Sequence, residues 1–155
     1  YFTQYNETLA RLEATLKLYR DPDRLAERLP TLRLLTRRAS DIEAQARRLL
    51  PALQAVLGPG AQVQLRPCRS QIGSGSLPVD RLDSACLAVG PAMAGKPAGK
   101  RAGSFPQRLA EALRALPTPV IGRIEDGEVR LDLRCLDGPD AEARFAAQLS
   151  LLPMF

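Results

Sequence analysis

The densest group of residues able to meet a ligand is Ser70-Gln71-Ile72-Gly73-Ser74-Gly75-Ser76-Leu77-Pro78. Glycine reaches positive φ without steric penalty, and a backbone lacking Cβ lets another surface come close. Hydroxyls and amides are then free to face whatever approaches. The same composition also serves as a plain connection between strands, which is the commoner use of Gly/Ser stretches. Other reactive types are few. The chain has no histidine and no Cys-x-x-Cys spacing, which excludes a zinc site, a Ser-His-Asp triad and a histidine base. Cys68, Cys86 and Cys135 each fall within a predicted strand and read as small buried thiols of a reducing compartment, not as a disulfide frame. Lysine occurs only as Lys17, Lys96 and Lys100.

The elements that must position these residues follow from periodicity. Val63-Gln64-Leu65-Arg66 alternates as a half-buried strand over 62–69, and Ala85 to Val89 continues as a second strand over 84–89, with the serine-glycine stretch between them. Upstream, Leu9, Leu12, Leu16 and Tyr19 predict an amphipathic helix over 7–20, and Asp21-Pro22 starts a short one over 22–29 that Pro30 ends. Ser40 and Glu43 have capping-box spacing before the clearest apolar stripe, Ile42, Ala46, Leu49, Leu50, Leu53 and Leu57, with Pro51 predicting a kink. Residues 90–103 have no periodicity and read as a flexible insertion. Ser104 and Gln107 predict another capped helix through Leu116.

From Val120 to Leu136 two alternating runs flank Asp126-Gly127, the signature of a type I′ hairpin. Its register would pair Ile124 with Val129, Gly122 with Leu131 and Val120 with Leu133. Glu125 then faces Glu128 and Arg123 faces Arg130, with diagonal Glu–Arg contacts offsetting the repulsion. A last helix covers about 139–150. Together these predict a two-layer α+β domain with a small, mostly antiparallel sheet flanked by helices.

At 155 residues and 45% apolar composition the chain can build one real core. The net charge of +5 and isoelectric point near 9.6 come from arginine. They favour a polyanionic partner or an acidic neighbouring subunit only modestly, because arginines spread along Ala/Leu-rich helices are usually solvated. No apolar run approaches the roughly 20 residues that span a bilayer, and no signal peptide opens the sequence. The expected location is cytoplasmic, with no membrane partner.

Several blocks, taken together and in order, resemble the C-terminal part of the bacterial selenocysteine synthases, the L-seryl-tRNA(Sec) selenium transferases. They are Thr8-Leu9-Ala10 with Leu12-Glu13-Ala14-Thr15-Leu16, then Leu29-Pro30-Thr31-Leu32-Arg33-Leu34-Leu35-Thr36, the serine-glycine stretch 70–78, and Pro117-Thr118-Pro119-Val120-Ile121-Gly122-Arg123-Ile124 continuing to Leu131-Asp132-Leu133-Arg134. The resemblance implies a fold-type-I enzyme with pyridoxal phosphate held by a lysine of an upstream large domain. It implies seryl-tRNA(Sec) as substrate, selenophosphate as donor and homo-oligomeric assembly with that large domain. Residues 1–7 depart from the family and read as a truncated or foreign end. Residues 8–38 read as a helical bridge to the missing large domain, and 39–152 as the α+β domain.

A Schiff-base lysine should be desolvated or beside another cation. Lys17 is predicted on a wet helix face, and Lys96 and Lys100 in the insertion, so the segment alone is expected to be catalytically silent and to hold no cofactor-binding residue. By resemblance, Ser70, Gln71, Gly73 and Gly75 face the active-site cleft, and Arg37 and Arg38 are candidates for tRNA phosphate, with a solvated face as the plainer alternative. A competing reading is a stand-alone basic α+β module that binds RNA. Such a module needs exposed aromatics on its sheet for base stacking, and no predicted strand contains one.

Overall fold

Apolar residues three and four apart drive the first helix, α1 (Phe2–Leu18), braced on its wet side by the exposed Glu7–Arg11 and Glu13–Lys17 pairs. The computed structural model describes residues 2–71, 81–92 and 105–155. They fall into two compact units, Tyr1–Arg37 and Arg38–Phe155. In the first unit, α1 leads through a 3-10 turn (Pro22–Arg24) into α2 (Leu25–Arg28) and α3 (Pro30–Thr36). Pro30, expected to end a helix, instead opens α3. The first turn needs no amide donor there, and proline's fixed φ suits it. Leu9, Leu12 and Leu16 remain about half exposed along α1.

The second unit begins with α4 (Ala39–Leu57). Its expected capping box does not form. Arg38 is the N-cap residue, its carbonyl accepts from the Asp41 and Ile42 amides, and Ser40 therefore lies inside the first turn. Asp41 still places a carboxylate near the positive end of the helix. The helix passes Pro51 without a break. That residue is on the exposed side, where the carbonyl deprived of its donor can be hydrated. Gly58, at φ +75°, ends the helix in a conformation that only glycine adopts freely.

Two long strands follow, β1 (Ala61–Gln71) and β2 (Arg81–Pro91), antiparallel throughout and longer than predicted at their loop ends. Gly90 pairs with Gln62, so β2 reaches into what was expected to be the insertion. Ser104 of the second predicted capping box lies outside the described residues. The helix it was to start is α5 (Phe105–Arg114), which buries Leu109 and Leu113, with Leu116 buried just beyond its end.

Next come β3 (Arg123–Glu125) and β4 (Glu128–Asp132), which complete a sheet of order β1-β2-β4-β3. Asp126 (φ +53°) and Gly127 (φ +75°) are both left-handed, as a type I′ turn requires. Arg123, Ile124 and Glu125 face Arg130, Val129 and Glu128, the predicted register. Arg130 also bridges diagonally to Glu125 at 2.7 Å.

The predicted pairs beyond that ladder do not form. Val120 donates to the Leu113 carbonyl, and after Asp132 the chain tightens into a 3-10 turn (Leu133–Cys135). The Asp132 carboxylate caps that turn by accepting from the Arg134 amide. The last helix is α6 (Pro139–Leu149), which turns Phe145 and Leu149 inward.

Strand alternation then divides the sheet. Val63, Leu87, Val89, Val129 and Leu131 share one face and form a single core with Ile42, Leu49 and Leu53 of α4, Leu109 and Leu113 of α5, and Phe145 of α6. The result is the predicted two-layer α+β domain with an antiparallel sheet. Pro67 lies on the edge strand β1, where its missing amide breaks no ladder between inner strands.

Candidate functional site at the end of the long hairpin

β2 pairs with β4 only over Cys86–Val89, whereas its pairing with β1 continues to Arg81. From Pro67 to Gln71 and from Arg81 to Ala85 the two strands have only each other as ladder partners. A two-stranded ribbon is marginal by itself in water. This one is braced on the sheet face opposite the core. Ser70 Oγ donates to Asp132 Oδ2 at 2.6 Å, and Ser84 Oγ donates to Asp132 Oδ1 at 2.8 Å. Arg134 Nε donates to Ser70 Oγ at 3.0 Å, and its terminal nitrogen donates to the Asp83 carbonyl. The carboxylate that ends β4 and the guanidinium of the turn that follows thus hold both strands of the ribbon.

Burial gives these contacts weight. Ser70, Ser84 and Arg134 keep 8%, 4% and 5% of their surface exposed. A hydrogen bond in such a place is costly to lose, because the partner left behind is cut off from water. The Ser70 oxygen also accepts from a guanidinium, so the arrangement orients a hydroxyl and does not activate it as a nucleophile.

The residues expected to face a ligand are distributed unevenly. Ser70 turns its side chain into this cluster, Gln71 is exposed as the last residue of β1, and Gly73 and Gly75 lie outside the described residues. Arg37 is half-buried just after α3 in the first unit, and Arg38 is exposed at the start of α4 in the second. Asp132, Arg134 and Ser84 were not among the expected site residues. The signal that pointed to two of them was Leu131-Asp132-Leu133-Arg134. Its strict alternation breaks down physically because the Asp132 carboxylate accepts from the backbone amide two residues on and so closes a capped turn.

The thiols differ from the expectation of three buried cysteines. Cys86 is buried and Cys68 half-buried, but Cys135 is exposed, because it lies in the 3-10 turn and not in a strand. Cys68 and Cys86 are diagonal neighbours across β1 and β2 on the polar face. The hydrogen bond to Cys86, burial and the Asp132 carboxylate push the Cys68 thiol well above the ordinary range, while the same hydrogen bond draws Cys86 down. Neither arrangement presents an exposed thiolate.

Several arginines of this unit meet carboxylates. Arg66 meets Glu128 at 3.0 Å, Arg130 meets Glu125 and Asp126, and Arg48 binds Glu142 through two nitrogens at 2.9 and 2.8 Å. Hydrogen bonding to Glu142 raises the Arg48 pKa against a smaller effect of desolvation. Lys17 is exposed and lies 2.7 Å from Glu13. A Schiff-base lysine is desolvated or beside another cation, and Lys17 is neither, so it does not fit pyridoxal phosphate and no step through that group is derived for the described residues. Among the described residues no cluster suits a metal ion, and no helix is long and apolar enough to cross a membrane.

The L-seryl-tRNA selenium transferase family model matches residues 6–137. The L-seryl-tRNA(Sec) selenium transferase of Methylocella silvestris is 58% identical over 144 residues, which is 93% of this chain and 28% of that protein. Those of Escherichia coli O139:H28 and Shigella boydii serotype 18 are each 54% identical over 142 residues, 92% of this chain and 28% of theirs. The sequence thus spans little more than a quarter of the length of these curated relatives, yet the match runs through α1, the ribbon and the capped turn alike: the chain belongs to the L-seryl-tRNA selenium transferase family.

Proposed function

We propose that this chain is the C-terminal part of an enzyme that converts L-seryl-tRNA(Sec) to L-selenocysteyl-tRNA(Sec) with selenophosphate, using pyridoxal phosphate bound by residues outside this sequence. The observation that carries the reading is the family match, which extends over both compact units and over the segments that build the ribbon. In that enzyme the ribbon β1–β2 extends past the sheet and carries Gln71 and the serine-glycine stretch toward the cleft. The chain contributes shape and hydrogen-bonding groups there. The reactive amine belongs to the large domain. Cytoplasmic location and homo-oligomeric assembly belong to the same reading.

The alternative of a stand-alone RNA module is disfavoured by two features. Every described strand lacks an aromatic residue, and Arg66 and Arg130 of the polar face are paired with carboxylates. An RNA groove needs free positive charge, since phosphate contacts supply most of the affinity.

The test compares the full-length protein with the 155-residue chain. With seryl-tRNA(Sec) and selenophosphate, the full-length protein is expected to form selenocysteyl-tRNA(Sec) and the chain alone to form none. Full-length protein that leaves seryl-tRNA(Sec) unchanged would overturn the reading. Filter binding of tRNA to the chain alone, tight at low salt and falling steeply as salt rises, would establish the alternative.

A further inference from the structure

We propose that the apolar seam of α1, formed by Tyr5, Leu9, Leu12, Leu16 and Tyr19, is an interaction surface. Its occupant is an amphipathic helix from the part of the same polypeptide that precedes residue 1 in the full-length enzyme. The inference rests on the reading that this chain is the C-terminal part of that enzyme.

The seam is too regular for a solvated face. Its residues stand four, three, four and three apart, the narrow repeat that packs one helix along another at a shallow angle. All five keep between 48% and 67% of their surface exposed. Within its own unit α1 packs extensively on neither α2 nor α3. A helix of 17 residues with no partner is marginal in water, because most helix stability in proteins comes from burying an apolar face. The seam therefore calls for a partner.

The flanks define the chemistry of that partner. On one side Glu13 and Lys17 pair at 2.7 Å and border the groove that Leu9, Leu12 and Leu16 line. On the other, Thr8 and Thr15 donate their hydroxyls to the Gln4 and Arg11 carbonyls, each at 2.9 Å. These four residues satisfy their polar groups within α1, so the leucines recognise apolar shape and not charge. Tyr5 and Tyr19 close the ends of a seam roughly 21 Å long, each able to bury a ring and keep its hydroxyl wet.

Two observations select the occupant. Among the described residues of the second unit, the exposed large apolar side chains are Ile121, Ile124, Leu151 and Met154, and none of them lies on a helix. Its helices α4, α5 and α6 turn their apolar stripes into their own core, leaving no stripe to match the seam. The family match takes in α1 from residue 6, whereas this chain covers only 28% of the length of its relatives. The remainder of the polypeptide is covalently tied to α1 and so faces it at an effective concentration of roughly millimolar, which a second copy arriving by diffusion does not reach.

The experiment uses the full-length enzyme. Leu12→Cys places a thiol in the seam and Ala14→Cys places one on the opposite side of α1. Maleimide labelling, followed peptide by peptide, should be roughly 10-fold or more slower at position 12 than at position 14. In the unmodified enzyme, amides of the peptide 5–19 should exchange with deuterium as slowly as those of other packed helices. Benzoylphenylalanine in place of Leu12, irradiated and mapped by mass spectrometry, should cross-link within one polypeptide to a segment preceding residue 1.

Equal labelling of the two thiols would overturn the inference, as would exchange of 5–19 at the rate of an unprotected chain. So would a cross-link to residues 38–155, or a cross-linked product of twice the subunit mass. If the substituted enzymes do not fold, exchange in the unmodified enzyme decides. Selenium transfer by the unmodified enzyme is measured alongside. Activity with a cross-link elsewhere defeats the docking and leaves the functional reading standing, and the expected cross-link in an enzyme without activity does the reverse.

Discussion

The two faces of the sheet are built on the same three strands, β1, β2 and β4, by opposite chemistry. On one face Val63, Leu87, Val89, Val129 and Leu131 are buried against α4, α5 and α6. On the other, Arg66, Cys86, Asp132, Ser70 and Ser84 lie at alternate positions of the same strands, joined by hydrogen bonds and ion pairs. The first face is non-directional. It stabilises by area removed from water, and any apolar group of the right size serves. The second is directional, because each bond fixes one atom relative to another. The comparison teaches that the apolar face determines that the domain folds, whereas the polar face ties both strands of the ribbon to Asp132 and Arg134.

Three substitutions sharpen this contrast, beginning with the largest effect. Leu87 is fully buried on the central strand. Leu87→Ala should cost about 2–5 kcal/mol, read as a lower denaturation midpoint at unchanged slope, and it should loosen every element of the second unit. Uniform protection from exchange in that variant would show that the core does not carry the fold.

Gly122 comes next. A Cβ added there would lie 2.7 Å from Val129 Cγ1 and 2.8 Å from Leu131 Cδ2. Gly122→Ala should therefore destabilise by roughly 1–3 kcal/mol, the range for overpacking, with the damage centred on the β3–β4 hairpin. A melting temperature equal to that of the parent would mean that the hairpin yields freely. The smallest effect is expected at Arg47, exposed and paired with Glu43 one helical turn away. Arg47→Ala should change stability by less than about 0.5 kcal/mol, and a larger loss would show that surface charge matters more to this domain than burial.

Thiol chemistry offers a fourth probe of the two faces. Cys135 is exposed, whereas Cys86 is buried and Cys68 is held protonated by its hydrogen bond to Cys86, by burial and by Asp132. Iodoacetamide at neutral pH should label Cys135 first, and the other two only as the protein unfolds. Early labelling of Cys68 would mean that the polar face opens readily in solution.

The apolar face was largely legible in the sequence. The stripe from Ile42 to Leu57 emerged with the correct period, and the Asp126-Gly127 hairpin with the correct register over its three pairs next to the turn, because burial imposes a repeat of 3.6 or 2 that the order of residues reveals. The misreadings have local causes. Pro30 read as a terminator because proline both ends and begins helices. Ser40 lost its capping role because the helix began two residues early, with Arg38 as its N-cap. Leu133 and Cys135 read as strand because alternation does not distinguish a strand from a turn that a carboxylate caps by accepting a backbone amide two residues on.

The polar cluster was not legible. Ser70, Ser84, Asp132 and Arg134 are separated by up to 64 residues, and nothing in their spacing announces that three strand ends meet. Family resemblance drew attention to the serine-glycine stretch and to the block containing Asp132 and Arg134, but only the fold joins the two.

The central claim is that the reactive amine of the enzyme lies outside these residues. The direct measurement is borohydride reduction of the full-length protein in the presence of pyridoxal phosphate, followed by peptide mapping of the pyridoxyl-labelled lysine. The account predicts a single labelled lysine in the part of the protein not covered by residues 1–155. A pyridoxyl group found on Lys17, Lys96 or Lys100 would contradict it.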